Sequence, residues 1–538
     1  MAATQHPISG SNFQQLAKTY FSRSLEKIAA VLERHPTPIL ALLFLLYLWI
    51  LKSERTKPLW HDELFTYYIA QAPTFHKMIE WTQTIDLNPP LYYIAARLTF
   101  HVIHPGIFSV RFPSMVAYFV ATLCLYIFVR RRLTPLYGCL AALVMLSSEF
   151  NIYSYEARPY AMVLGFAGIL ALSWQRAIDD DKSRSWVALL FVAIGGFGML
   201  LSHILASVAY AAFLVTEAIR FAIRRKPSWL LWICLAIPLS ACITYFHPMQ
   251  NHDAGTFPQQ FQASILQLLA AYSDLWIGIS SLIGVAIIVI VLLTEKQEPS
   301  NVKTPHHSFI WPEIILALGL CCVPLVVIMV FMHSHSAYFP RYGIPAIFGA
   351  SILVPWFIAR WTGTSSRAAL ICCLVFIFGV VTPSSLARHL QNLVQREKPK
   401  PASLTGESNV PLSKVMVDLP LVDASGLTFL EMNSRENTAF LSRVYYLNDM
   451  EAAIQYSNAT IFEGFPYLKN KFPIRAHIEP YRQFIQQHSK FLVLGTYNYP
   501  EDWILRKLLA DHATLRFLGD YSSGYKDEQL YEVTLDHR

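Results

Sequence analysis

The chain has 538 residues, of which 54% are hydrophobic and only 15% charged, whereas a soluble protein of this size carries about 25% charged residues. A mean hydropathy of +0.36 excludes a large soluble enzyme with an ordinary core and indicates a polytopic membrane protein. The formal net charge of +7 does not indicate nucleic acid as a partner, because most basic residues lie between apolar segments, where they orient a protein in a bilayer.

In chain order, the first predicted element is an amphipathic helix within residues 1–36. Phe13, Leu16, Ala17, Tyr20, Phe21, Leu25, Ile28 and Leu32 recur at helical spacing, with Lys18, Arg23, Lys27 and Arg34 on the other face. That is the pattern of a helix lying on the cytoplasmic leaflet. It lacks the early apolar run and small-residue cleavage site of a signal peptide. Residues 37–390 are read as the membrane domain. A bilayer core of about 30 Å needs roughly 20 apolar residues per helix, which predicts about eleven spans. They centre near Leu45, Phe119, Leu143, Gly168, Ile194, Ala211, Ile237, Ala286, Leu320, Ile352 and Phe376. The connections between the spans at Leu143 and Gly168, and at Ile194 and Ala211, predict tight helical hairpins. All eight cysteines fall in apolar segments and read as small buried apolar residues.

One set of connections holds Arg130-Arg131-Arg132, Arg176/Lys182/Arg184, Arg220/Arg224/Arg225/Lys226, Lys296/Lys303 and Arg360/Arg367, and the alternating set is nearly devoid of basic residues. The positive-inside rule puts the first set in the cytoplasm. An odd number of spans then leaves the N-terminus inside and the C-terminal region outside, in a multi-pass protein of the plasma (inner) membrane. The long first loop, residues 52–110, also lies outside.

That loop opens with Trp60-His61-Asp62-Glu63. Ionisable groups at the mouth of a span are costly to keep near lipid and point to a functional site. Asp62 and Glu63 begin a helical stretch through Leu64, Tyr67, Tyr68 and Ala70 that ends by Ala72-Pro73. The plainer role for Asp62 is the N-cap of that helix. Asp86-Leu87-Asn88-Pro89-Pro90-Leu91-Tyr92-Tyr93 precedes a second amphipathic stretch ending near His101. The proline pair suits a helix start with one proline in its first position, and Asn88 can cap that helix or donate to a substrate hydroxyl.

The second outer connection reads Tyr153-Ser154-Tyr155-Glu156-Ala157-Arg158-Pro159-Tyr160. Arg158 breaks the orientation pattern, and its guanidinium fork matches phosphate oxygens; an ion pair with Glu156 is the plainer role. His203, at the outer turn between two spans, can bond helix to helix or line a site. After the ninth span comes His333-Ser334-His335-Ser336-Ala337-Tyr338-Phe339-Pro340-Arg341-Tyr342-Gly343. Arg341 is the second exception, and two outward arginines can clamp an anion at the membrane surface. Tyr338 and Tyr342 suit the aromatic belt, and the i, i+2 spacing of His333 and His335 is unspecific for metal.

Residues 391–538 form an extracytoplasmic domain. A Pro-, Gly- and Ser-containing linker at Lys398–Glu407 leads to strand-like runs at Lys414–Asp418, Arg443–Leu447, Lys490–Thr496, Thr514–Leu518 and Leu530–Thr534. These alternate with helical patterns at Glu479–His488 and Pro500–Asp511, which predicts a small α/β domain with a largely parallel sheet. It has no glycine-rich phosphate loop, hence no nucleotide site.

Together the motifs resemble the GT-C glycosyltransferases that use polyprenyl-phosphate sugars, in particular the bacterial relatives of protein O-mannosyltransferases and lipid A aminoarabinose transferase. The resemblance rests on His61-Asp62-Glu63 after the first span, Asn88-Pro-Pro-Leu-Tyr-Tyr93, Glu156-Ala-Arg-Pro-Tyr160, His203 at a span end, and Arg341-Tyr342. It covers the membrane region up to about Leu390; many relatives have histidine where Asn88 stands. It implies an α-helical polytopic fold of GT-C type, with juxtamembrane helices in the first outer loop, plus the small C-terminal α/β domain. It also implies transfer from a polyprenyl-phosphate sugar to a hydroxyl on a glycolipid, polysaccharide or protein, with inversion. Asp62 is then the general base, with Glu63 and Glu156 orienting Asp62, the acceptor or an arginine. Arg158 and Arg341 stabilise the departing phosphate, while Asn88, Tyr92, Tyr160, His203 and Tyr342 bind substrate. The resemblance fixes no cofactor, and a divalent cation is possible, since Asp62, Glu156 and His203 could supply its ligands. The rival readings are a flippase for lipid-linked saccharide, a polymerase or ligase with a diphosphate-linked donor, and a receptor-type protein with incidental carboxylates. Charge gathered at span ends favours an interfacial enzyme over ion-coupled transport.

Overall fold

The computed structural model describes residues 10–54, 57–179, 185–225, 227–250, 261–293, 310–381, 412, 415–497, 499, 502–522 and 527–535. Helix α1 (Gly10–Arg34) is followed by α2 (Thr37–Glu54), and the axis turns by 93° between them. Pro36 accounts for the break, because the residue before a proline is driven out of helical geometry. Leu25 and Ala29 of α1 are buried, whereas Tyr20, Ile28 and Val31 are exposed.

Three short helices follow α2 before the next long apolar helix: α3 (His61–Ala70), α4 (Phe75–Thr84) and α5 (Leu91–Val102). Thr74 caps α4 by accepting from the Lys77 amide at 3.1 Å. The proline pair differs from expectation, since Pro90 occupies the cap position of α5 and the helix proper begins at Leu91.

The remaining apolar helices are α6 (Ile107–Arg130), α7 (Pro135–Ser147), α8 (Tyr160–Asp179), α9 (Trp186–Ser202), α10 (Ala206–Arg224), α11 (Trp229–Ala236), α12 (Ser240–Gln250), α13 (Ile265–Leu293), α14 (Trp311–Cys321), α15 (Val323–Ser334), α16 (Pro345–Thr362) and α17 (Ser366–Val381). Among the described residues, three helices are long and apolar enough to cross a membrane, or up to six spans if each of three bent pairs is one. Shorter apolar helices occupy Pro135–Ser147, Trp186–Ser202, Trp229–Tyr245 and Ser366–Val381. Every expected centre falls in one of these segments or in α16. The expected number of spans nonetheless exceeds what length and composition license, because several segments are short or broken. The chain is a multi-pass membrane protein. One hairpin is less tight than predicted: the α7–α8 connection contains a 3-10 turn at Glu149–Ser154 and carries Glu156 and Arg158.

Small residues let the helices approach. A Cβ on Gly165 of α8 would meet the Ala117 carbonyl oxygen of α6 at 2.7 Å, and one on Gly195 of α9 would meet Leu170 of α8 at 2.8 Å. Such contacts replace the hydrophobic drive that lipid removes. At the ends of α6 and α8 that carry the basic clusters, Arg132 bonds Glu313 at 2.7 Å and Asp179 at 2.5 Å, while Gln175 bonds Glu313 at 2.8 Å. Cys124, Cys139, Cys372 and Cys373 are buried, but Cys322, at the α14–α15 break, is exposed, contrary to the reading of all eight as buried.

The C-terminal domain is a six-stranded sheet in the order β3-β2-β1-β4-β6-β5, built from β1 (Leu421–Asp423), β2 (Val444–Asn448), β3 (His477–Pro480), β4 (Lys490–Gly495), β5 (Thr514–Ser522) and β6 (Asp527–Thr534). Strands β1 to β4 pair in parallel, and β6 pairs antiparallel with both β4 and β5. The expected helices appear at Tyr481–Gln487 and Trp503–Ala510. The strand expected at 414–418 does not: residues 415–418 form a turn, and the central strand β1 follows it. The linker at 398–407 lies outside the described residues. Alternating side chains split the sheet between two cores. Val422, Phe491 and Val493 face Trp503 and Phe484, whereas Leu421, Leu492 and Leu494 join Leu64 and Tyr68 of α3. The domain therefore shares one core with the juxtamembrane helices.

Candidate active site

Helix α3 starts at His61, with Trp60 in extended geometry at the cap position. Asp62 is thus in the first turn and is not the N-cap, which frees its side chain. Glu63 is the bracing member of the pair. Its carboxylate receives Arg111 Nε and Nη2, each at 2.6 Å, the Ala157 amide at 2.7 Å and the Trp60 amide at 3.3 Å. Both partners of this ion pair are wholly buried. Glu63 accordingly ties α3 to α6 and to the α7–α8 connection instead of facing a substrate. Arg111 was not anticipated, since it lies inside an apolar segment whose sequence gives no sign of its partner.

Asp62 is held more loosely. Its Oδ2 lies 3.4 Å from Arg341 Nη2 and 3.9 Å from Arg158 Nε. Burial pushes its carboxyl up, but Arg341 and then Arg158 outweigh this and hold it below the usual value. Arg158 pairs with Asp86, at 2.7 Å from Nη1 and 3.3 Å from Nη2, and its Nη1 also donates to the Asp62 carbonyl at 3.2 Å. The expected pair between Arg158 and the Glu156 carboxylate is replaced by this fork; Glu156 instead accepts the Arg158 amide on its carbonyl. Tyr93 donates to the same Asp86 carboxylate. Asp86 was quoted in the sequence motif without a role. It is set beside Leu87, whose φ of +50° is left-handed, a strained geometry that concentrates at functional sites.

Arg341 rests on aromatic faces, 4.4 Å from the Phe339 ring and 5.8 Å from those of Trp60 and Tyr342. Among the described residues, Nε of Arg341 and Nε of Arg158 have no hydrogen-bond partner. Two guanidinium groups with spare donors, next to one carboxylate, form a setting for a phosphate.

His203, Tyr160 and Tyr342 complete the wall. The His203 ring lies 5.2 Å from that of Tyr160 and 6.0 Å from that of Tyr342. Its Nδ1 accepts the Leu205 amide at 3.1 Å, which leaves the proton of the neutral ring on Nε2. Burial, with Arg158 and Arg341, pushes its pKa down to about 3, so it is neutral. Glu156 is buried, and burial together with Glu63 pushes its carboxyl up to about 7.

Other expectations fare differently. Tyr92 is fully buried, with its hydroxyl on the Val110 carbonyl at 2.9 Å and on Ser114 at 2.9 Å, so it packs α5 on α6 and does not face substrate. Asn88 is buried and does not cap α5; its Nδ2 donates to the Asp86 carbonyl at 3.0 Å, where it supports the Asp86 turn. Tyr338 is buried and Tyr342 packs against His203, so neither serves as a lipid-facing belt residue. His333 and His335 are exposed. Among the described residues no three His, Cys, Asp or Glu side chains converge as a metal-binding group.

Residues 87–245 match the family model described as dolichyl-phosphate-mannose-protein mannosyltransferase. That stretch contains Asn88, Tyr92, Glu156, Arg158, Tyr160 and His203, but neither Asp62 nor Arg341. Among solved structures the chain is similar to ArnT from Cupriavidus metallidurans in the apo state, at 10% identity and a TM-score of 0.50, covering 92% of this chain and 97% of that one. ArnT from the same organism bound to undecaprenyl phosphate aligns over the same shares at 10% identity, with a TM-score of 0.49. At such identity the likeness concerns the fold. No curated protein matches the chain by sequence.

Proposed function

We propose, from the premise that this is a multi-pass membrane protein of the GT-C glycosyltransferase fold, that it moves a sugar from a polyprenyl-phosphate donor to an acceptor hydroxyl at the extracytoplasmic rim. The observation that carries this reading is Asp62 at 3.4 Å from Arg341 and 3.9 Å from Arg158, with His203, Tyr160 and Tyr342 on the adjoining wall. A family model for enzymes that use dolichyl-phosphate mannose, matched over 87–245, supports a polyprenyl-phosphate donor. The orientation draws on charge. The site groups precede α8 and α16 or follow α9, while Arg130, Arg176, Arg224 and Arg360 lie at the opposite helix ends, the side that the positive-inside rule assigns to the cytoplasm.

In this reading the lipid lies between helices and its phosphate engages Arg341 and the spare Nε of Arg158. Drawing those cations onto the phosphate weakens their hold on Asp62, so donor binding raises the basicity of the carboxylate. Asp62 takes the proton of the acceptor hydroxyl as its oxygen attacks the anomeric carbon from the face opposite the phosphate. The new O–C bond forms, the C–O bond to phosphate breaks, and polyprenyl phosphate leaves with the electron pair. The anomeric configuration inverts. Glu156, protonated near neutrality, donates a hydrogen bond that orients the acceptor. General-base catalysis supplies about a hundred- to ten-thousand-fold, and charge stabilisation by preorganised donors about as much again.

The test is incubation of purified protein with polyprenyl-phosphate sugars and a hydroxyl-bearing peptide, glycolipid or polysaccharide. Mass analysis follows the spent lipid. Release of polyprenyl monophosphate by the wild type and its loss in Asp62→Asn is the expected result. Movement of intact lipid-linked sugar across vesicles without release overturns it, as does release of a diphosphate.

A further inference from the structure

Among its contacts with the helix that carries Asp62, the C-terminal domain bonds the backbone of that helix through a buried carboxylate. Glu431 lies in the helix Gly426–Arg435, is 4% exposed, and accepts the His61 backbone amide on Oε1 at 3.2 Å. The first amides of a helix have no partner within it. For α3, one is satisfied from within by Glu63 on the Trp60 amide, and the next by a residue 370 positions away. The other Glu431 oxygen is fixed by Arg435 Nη2 at 3.0 Å, and the same Nη2 donates to the Leu59 carbonyl at 3.4 Å. Glu431 and Arg435 thereby grip the chain on both sides of Trp60. The His61 ring is set between Phe65, at 4.9 Å, and Phe462, at 5.5 Å, with Phe465 at 6.3 Å. Phe472 of the same domain packs on Phe65, Tyr68 and Trp81.

Asp62 is the residue immediately after this anchored amide, so a shift of the α3 start moves its carboxylate relative to Arg341 and Arg158. We propose that Glu431 is a positioning residue for Asp62, and that the C-terminal domain sets the register of the catalytic carboxylate by completing the cap of α3. The claim about catalysis rests on the function proposed above; the claim about the cap does not.

The experiment pairs amide hydrogen exchange over residues 57–70 of the full-length protein with steady-state transfer kinetics, for Glu431→Ala, Glu431→Gln and Glu431→Asp. Glu431→Gln keeps an oxygen for the His61 amide, whereas Glu431→Asp retracts the carboxylate by one methylene and carries the test if Glu431→Ala does not fold. Faster exchange in this segment is expected for Glu431→Ala and Glu431→Asp, with Glu431→Gln near wild type. The turnover number kcat should fall about tenfold to a hundredfold, the scale of a small misplacement of a reacting group, with donor KM within about twofold. The acidic limb of the pH–rate profile should move upward as Asp62 leaves its arginines. Glu451→Ala, an exposed glutamate of the same domain paired to Arg482, should change none of these. Unaltered exchange in Glu431→Ala and Glu431→Asp overturns the cap. Altered exchange with wild-type kcat overturns the coupling to Asp62. If the wild type itself transfers no sugar, the exchange arm still decides the cap, and the failure lies with the proposed function.

Discussion

Charge drawn into the fold occurs in this molecule in two states. Where α6 and α8 end, Arg132 bonds the buried Glu313 and the exposed Asp179, Gln175 also bonds Glu313, and Glu313 accepts the Ile310 amide at 3.2 Å. The Glu63–Arg111 pair is equally complete. Around Asp62, Arg158 forks onto Asp86 at 2.7 Å, but the ion pairs of Asp62 itself are longer, and the guanidinium Nε atoms of Arg158 and Arg341 have no hydrogen-bond partner among the described residues. A satisfied network holds helices together. An unsatisfied one that folding has nevertheless buried retains its capacity for a ligand, and perturbed groups of that kind gather at functional sites. The difference separates adjacent residues: Glu63 braces, and Asp62 remains available.

The sharpest way to break this contrast is Asp62→Asn. Transfer should fall by about a hundred- to ten-thousand-fold with the thermal midpoint nearly unchanged, since the lost ion pairs are long. Near-wild-type transfer removes Asp62 from the chemistry. Next in size are Arg111→Ala and Arg132→Ala, each of which strands a buried carboxylate and should cost about 3–5 kcal/mol of stability. Denaturation in detergent checks this, and a loss of less than about 1 kcal/mol would place the completed networks in the same class as the open one. Arg341→Ala should show the inverse profile: transfer lower by about a hundred- to a thousandfold, with only a small change in melting. A large stability loss there would contradict its reading as a cation with spare capacity.

The smallest effect is a pH slope. Burial pushes Glu156, Glu431 and Glu463 up to about 7 from 4.5. The folded protein therefore keeps protons that the unfolded chain releases. Their contribution is complete below the unfolded value and is lost as pH rises through about 7. Asp62 has the opposite sign, because Arg341 and Arg158 hold it below 3.8 despite burial; its contribution is present above that value and lost as pH falls through the folded one. Melting temperatures near about pH 5 and about pH 8 should differ less in Glu156→Gln than in the wild type. An unchanged difference would mean that Glu156 does not carry the shifted proton.

Much of the site was legible in the chain. Asp62, Glu156, Arg158, Tyr160, His203, Arg341 and Tyr342 come together at one rim, because a bilayer allows ionisable groups few places besides the ends of spans. Their partnerships were not legible. Arg158 chose Asp86, 72 positions away, over Glu156 two residues off, and Glu63 took Arg111, 48 positions on. Tyr92 sits in the same motif as Asp86, yet its hydroxyl faces the α5–α6 packing. In the C-terminal domain the central strand is only three residues long, too short for periodicity to register, and its place between β2 and β4 is set by packing on both faces.

Sequence alone determined where this chain can enter a bilayer and which residue types must stay at its edge, since the cost of burying a charge in lipid acts on each segment separately. Tertiary structure alone decided which carboxylate braces and which stays available, and that a helix of the C-terminal domain bonds the start of the one bearing Asp62. Those outcomes depend on directional bonds between distant residues, and a directional bond exists only once both ends have been brought within reach.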